Sequence, residues 1–207
     1  MALSWKTPSW TTPVLGPAAI ALWRMDARRK LAWMRESLPG RGLPDQGRTA
    51  PARLLEIGSG PGSLVEALRG AGHDIVAIDI ANSAYAPDLA PILFDGVTIP
   101  FTAGAFDAAL LATTLHHAAD PDRLIAEAAR VAPRVIIIED IYRSPLQRRL
   151  TEIADSLTNL EFAGHPHNNR DDAGWRAAFA REGLRVMRAE TKPYAGLFLQ
   201  ALYEVSR

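Results

Sequence analysis

Apolar residues recur along this chain at two different spacings, and the change between them divides it. Ile20, Trp23, Ala27, Leu31, Met34 and Leu38 follow one another at steps of three and four, which gathers them on one face of a helix. Pro17 suits the first turn of that helix, where a missing N–H loses no partner, and Pro39-Gly40 stops it. Residues 39–51, rich in Gly, Pro and Arg, read as a linker. From Ala52 on, short apolar runs alternate with helix-like stretches. Residues 53–57, 74–78, 91–94, 106–111 and 134–138 read as strands, and 62–69 and 121–131 as helices. The run 134–138 is almost wholly apolar, as befits a strand covered on both faces. Alternating strands and helices predict a mostly parallel sheet with right-handed crossovers.

The last part of the chain loses this rhythm. Asp171-Asp172 can cap a helix carrying Trp175, Ala178 and Phe179, which Gly183 can end. Residues 184–188 and 197–205 then read as two strands with no helix between them, hence an antiparallel pair. The predicted organisation is a tail, helix and linker over 1–51, followed by one α/β domain over 52–207.

Composition narrows the function classes. Hydrophobic residues make up 48% and charged residues 22% of the 207, a soluble globular profile. The absence of cysteine excludes disulfides, thiolate metal sites and a cysteine nucleophile. The net charge of zero gives no sign of a nucleic-acid partner. The basic clusters Arg28-Arg29-Lys30 and Arg148-Arg149 read as solvated helix faces. The N-terminus has no apolar signal core and no run long enough to span a bilayer, so a cytoplasmic protein without a membrane partner is expected.

In open α/β sheets, ligands bind beyond the carboxyl ends of the strands. The first strand runs into Glu-Ile-Gly-Ser-Gly-Pro-Gly at 56–62. Its glycines allow a tight turn and close approach of a ligand. Glu56 would repel a pyrophosphate and welcome an ammonium group. In the dinucleotide spacing G-x-G-x-x-G counted from Gly58, the third glycine would fall at Ser63. Asp79 after the second strand suits ribose hydroxyls or a helix cap. Asp95-Gly96 after the third suits an exocyclic amine or a plain turn. His116-His117 after the fourth suggests local hydrogen bonding rather than metal, because chain neighbours seldom address one ion and no third ligand has a familiar spacing. Glu139-Asp140 after the fifth is either capping or substrate-facing.

The ordered set Leu54-Leu55-Glu56 through Gly62, Ile78-Asp79, Phe94-Asp95-Gly96, Phe106-Asp107 and Leu115-His116-His117 with Asp120-Pro121 resembles the class I S-adenosylmethionine-dependent methyltransferases of the small-molecule kind. The resemblance covers residues 52–141. It implies a Rossmann-like three-layer sandwich with a seven-stranded, mostly parallel sheet in the order 3-2-1-4-5-7-6, one strand antiparallel, here with an N-terminal helical extension. It implies S-adenosylmethionine as cofactor, with Gly58, Gly60 and Gly62 against its methionine part and Glu56 near its ammonium. Asp79 with Ile80 falls at the ribose, Asp95 with Gly96 near adenine, and Thr113 on the methionine side. No metal is implied.

The expected reaction is direct methyl displacement onto a small-molecule acceptor, with His116, Glu139, His165 and His167 as candidate bases. The last two lie in the polar stretch 164–170. Trp5, Trp10 and Trp23 suggest a lid over the acceptor. A nicotinamide-dependent oxidoreductase shares the fold and the second acid, but not the glycine spacing or Glu56. A non-catalytic S-adenosylmethionine-binding protein is the other alternative. An amino-methylating nucleic-acid enzyme would carry Asn/Asp-Pro-Pro-aromatic where Ala112-Thr113-Thr114-Leu115 stands.

Overall fold

The computed structural model describes residues 15–39, 52–159 and 168–207. An N-terminal helix α1 (Leu15–Met34) precedes β1 (Arg53–Ile57), α2 (Ser63–Gly70), β2 (Asp74–Asp79), β3 (Ile92–Leu93) and β4 (Ala108–Ala112). Then come α3 (Pro121–Val131), β5 (Arg134–Ile141), α4 (Pro145–Asn159), α5 (Asp172–Arg181), β6 (Arg185–Tyr194) and β7 (Phe198–Ser206). The seven strands form one sheet in the order β3-β2-β1-β4-β5-β7-β6. The first five pair in parallel, and β7 runs antiparallel to both β5 and β6. This is the expected Rossmann-like sandwich.

Alternation along the strands builds the two covering layers. Leu55, Ile57 and Leu111 face α3 and α5, joining Leu124, Ile125, Trp175 and Phe179 in one cluster. Leu54, Leu110 and Ile136 face the other way, into a cluster with Leu64 and Leu68 of α2 and Ala27, Trp33 and Met34 of α1. The N-terminal helix thus shares the core of the α/β domain. Arg24 forks onto Glu66 of α2 at 2.7 and 2.6 Å, and the Trp33 indole donates to Glu190 of β6 at 2.7 Å.

Asp171 caps its helix as expected, accepting from the Gly174 N–H at 2.7 Å, and Asp120 caps α3, accepting from the Arg123 N–H at 3.0 Å. Several boundaries differ. Helix α1 stops at Met34, whose carbonyl accepts from Ser37 and Leu38 in a closing turn. Strand β5 continues to Ile141, because β7 pairs with it as far as Ile141↔Leu199. Glu139 and Asp140 therefore lie within the strand. Helix α4 has no counterpart among the predicted elements, although Leu146, Leu150 and Ile153 carry helical spacing. Strand β6 runs through Pro193, which an edge strand tolerates. Among the described residues, no helix is long and apolar enough to cross a membrane.

Candidate active site

The site begins where β1 ends. Glu56 is the one polar residue in that strand's buried stretch and is 3% exposed. Its Oε2 takes no hydrogen bond among the described residues. Burial pushes its carboxyl up to about 8, while the nearby Lys30 charge draws it back down. A buried acid with an unused oxygen is complementary to a cation that brings its own N–H donors.

The glycines after it do different work. Gly58 has φ +73°, and a Cβ there would lie 2.2 Å from Cγ2 of Thr114. Its hydrogen atom is a packing requirement. Gly60 has φ +50° and nothing within 4 Å of the place a Cβ would take. That open space is where a ligand can approach the backbone. Gly62 lies at the start of α2. The turn is pinned by Asp79, whose Oδ2 accepts from the Gly60 N–H at 2.7 Å and whose Oδ1 accepts from the Ile80 N–H at 2.7 Å. Burial raises the Asp79 carboxyl, and the backbone N–H groups of Gly60, Ala81 and Ile80 oppose that rise.

Beyond β3, one oxygen of Asp95 accepts from the N–H groups of Val97 and Thr98 at 2.8 and 2.7 Å. The N–H groups of Thr98 and then Val97 hold this exposed carboxyl below its ordinary value. A Cβ on Gly96 would lie 3.0 Å from Ile80, so the Asp95 turn and the Asp79 turn meet. Ile80 and Val97 are 63% and 40% exposed, leaving an apolar surface beside two acids. That combination suits a flat heterocycle with polar edges and a sugar.

The loop after β4 forms the opposite wall. Thr113 sits at φ +56°, a strained conformation for a non-glycine residue. Its N–H donates to the Ile138 carbonyl at 2.7 Å. Its hydroxyl donates to the Ala112 carbonyl at 2.6 Å and accepts from Lys30 Nζ at 2.9 Å. Glu139 holds this loop from beneath. Its Oε1 accepts from the N–H groups of Thr114 and Leu115 at 2.8 and 2.7 Å, and its Oε2 meets His116 Nδ1 at 2.5 Å. Both side chains are fully buried.

The structure therefore brings Glu56, Gly58, Gly60, Asp79, Ile80, Asp95, Gly96 and Thr113 to the carboxyl ends of β1 to β4. His116 and Glu139 form a buried pair behind them. His165, His167, Trp5 and Trp10 lie outside the described residues, and Trp23 is half-buried on α1. Asn169, at the end of the polar stretch, is 5% exposed, with neither side-chain amide atom hydrogen-bonded among the described residues. Among the described residues, no group of three His, Asp or Glu side chains could hold a metal ion.

One sequence reading is corrected. Arg28, Arg29 and Lys30 are not a solvated face. Arg28 is exposed, Arg29 half-buried, and Lys30 only 8% exposed. Successive helix residues are turned by about 100°, so three neighbours cannot share one face. Lys30 pairs with Asp26 at 3.0 Å. Arg29 bonds Asp26 and Gln200, at 2.7 and 2.5 Å, and lies over the Tyr194 ring. Gln200 in turn donates to Asp140 at 2.8 Å, and burial raises that carboxyl. The Asp26/Lys30 spacing of four was the available signal.

Topology and site together are similar to those of the class I S-adenosylmethionine-dependent methyltransferases. Residues 55–134 match the model of a family described as a methyltransferase domain. A demethylmenaquinone methyltransferase of Renibacterium salmoninarum is 27% identical over 122 residues, which are 50% of this chain and 52% of that one. The chain thus spans about half the length of that curated relative. Among solved structures, the fold resembles magnesium protoporphyrin IX methyltransferase of Synechocystis PCC 6803 with bound SAH. The TM-score is 0.59 and the identity 18%, with 92% and 86% of the two chains covered. It also resembles the 4+2 cyclase SpnF, with a TM-score of 0.63, 17% identity and coverage of 87% and 80%.

Proposed function

We propose that this protein transfers a methyl group from S-adenosylmethionine to a small-molecule acceptor by direct displacement. The observation that carries this reading is Glu56. It is a buried carboxylate with an unused oxygen beside an open glycine turn, followed in order by Asp79 and Asp95 at the next two strand ends. Its chemistry suits a cationic amino-acid end, and the other two acids suit a ribose and an adenine. The 4+2 cyclase shares the fold, so the scaffold alone does not choose the reaction.

The residues present fit the donor. Glu56 would take its ammonium, the Gly58–Gly60 turn would lie along its methionine part, Asp79 would take the ribose, and Asp95 the adenine amine. Ile80 and Gly96 would flank the ring, and Gly62 would close the turn against α2. When bound, the donor supplies an electrophilic methyl group on a sulfonium. Everything else falls to the chain. Alignment of two reactants can supply about 7–11 kcal/mol of the barrier, so a rigid wall matters more than a strong base. Glu139 and His116 serve that rigidity, since Glu139 bonds the N–H groups of Thr114 and Leu115 and is itself held by His116. His165 and His167 are the proposed bases on the acceptor side, needed only where the acceptor carries a proton at neutral pH. The protein is proposed to act in the cytoplasm, without nucleic acid or membrane.

The test is turnover. Purified protein is supplied with S-adenosylmethionine and a panel of small hydroxyl, carboxyl, amine and carbon acceptors, and S-adenosylhomocysteine release is followed. Acceptor-dependent release that disappears in Asp79→Ala is the expected result. Donor binding without release across the panel favours the non-catalytic binding protein.

A further inference from the structure

Helix α1 delivers a second charge to the donor site, from a part of the chain that carries no motif. Asp26 and Lys30 are four apart on α1, so they share one face. That face is turned toward the ends of β1 and β4. The ammonium of Lys30 has three N–H donors. One is directed to Asp26 Oδ2 at 3.0 Å and one to Thr113 Oγ1 at 2.9 Å. A third direction remains beyond those two. The residue is 8% exposed, and its charge is felt by Glu56 and Asp140. Thr113 is itself held at a strained φ of +56°, with its hydroxyl locked onto the Ala112 carbonyl. The lysine head is thus fixed on both sides.

A buried ammonium costs free energy unless it is paired, and Asp26 does pair this one. That leaves unexplained why the helix brings the pair against Thr113 and into the field of Glu56. A buried ammonium, Lys30 at Thr113, and a buried carboxyl that an incoming cation would ionise, Glu56, stand at the neighbouring ends of β4 and β1. Their sign and proximity match an α-amino acid, which carries a carboxylate and an ammonium on one carbon. Glu56 alone would recognise any cation, and Lys30 alone any anion.

We propose that Lys30 anchors the α-carboxylate of the donor, so that Lys30 and Glu56 form a two-point clamp for its zwitterionic end. This rests on the reading of the site as a methyl-donor site. It makes α1 part of the cofactor site, and it sets specificity. Nucleosides that lack the amino-acid end gain nothing from Lys30.

The clamp is tested by calorimetric titration of two ligands, S-adenosylhomocysteine and 5′-methylthioadenosine, into wild type, Lys30→Met and Lys30→Arg. The first ligand has the amino-acid end, and the second lacks it. In Lys30→Met, affinity for S-adenosylhomocysteine is expected to fall by about 10- to 100-fold, the range of a charge-assisted hydrogen bond. Affinity for 5′-methylthioadenosine is expected to stay within about twofold. Lys30→Arg keeps the charge and should retain preference for the amino-acid ligand, which covers the case in which Lys30→Met does not fold. S-adenosylhomocysteine bound equally well by wild type and Lys30→Met overturns the clamp. So does equal weakening of both ligands, which points to displacement of α1. Failure of wild type to bind either ligand overturns the donor reading, and the clamp with it.

Discussion

The two sides of this site are assembled in opposite ways. On the β1–β4 side, each functional group stands at the end of its own strand. Glu56, Asp79 and Asp95 succeed one another in the chain as their strands succeed one another across the sheet. On the α1 side, the groups that meet come from far apart. Arg29 reaches Gln200 across 171 positions, Lys30 reaches Thr113 across 83, and Asp140 meets Gln200 across 60. The first side is a set of short motifs that a parallel sheet collects. The second exists only once β7 has paired with β5 in the register that sets Asp140 opposite Gln200.

This contrast accounts for what was legible. The glycine turn and the three acids could be located because strand ends converge in any open α/β sheet. The strand order followed from resemblance, and the antiparallel C-terminal pair from two strand patterns without a helix between them. Lys30 was not legible as a site residue. A basic triplet on a helix has an outward look, and its burial depends on where the helix docks. Glu139 and His116 were legible as candidates, but not as partners of one another. The structure turns Glu139 toward the backbone N–H groups of Thr114 and Leu115 and toward His116. For Asp140 the sequence allows capping or substrate contact. Its partner Gln200 lies in a strand whose register the sequence does not print.

Substitutions in the glycine turn should separate packing from ligand approach, with the largest effect first. Gly58→Ala places a Cβ 2.2 Å from Thr114 at φ +73°. A loss of about 3 kcal/mol or more in denaturant unfolding is expected, together with loss of donor binding. Gly60→Ala meets nothing within 4 Å. It should cost about 1–2 kcal/mol from its positive φ, while still weakening donor affinity. Equal stability losses at the two positions would contradict the division of labour between them.

Glu56 joins the two sides, because Lys30 and Asp79 both act on its charge. Its carboxyl is held at about 8 in the folded protein, against an ordinary value of 4.5. The folded state keeps a proton there that the unfolded chain releases. The stability contributed by this group is full below pH 4.5, is lost as pH rises through 8, and is constant above that. Glu56→Gln should therefore flatten this part of the profile and exceed wild type by at most about 5 kcal/mol above pH 8. The same variant should lose donor affinity. Urea titrations from pH 5 to 9 check the first point. Parallel profiles for the two proteins would show that Glu56 ionises normally in the folded state.

The central claim is that Glu56, Asp79 and Asp95 form a site for a methyl donor and not for a dinucleotide. Equilibrium titration of the wild-type protein with S-adenosylhomocysteine and with NAD, side by side at pH 8, tests it most directly. Saturable micromolar binding of the first, lost in Asp79→Ala, with no heat from the second, is the predicted result. Binding of NAD in preference to S-adenosylhomocysteine would contradict it.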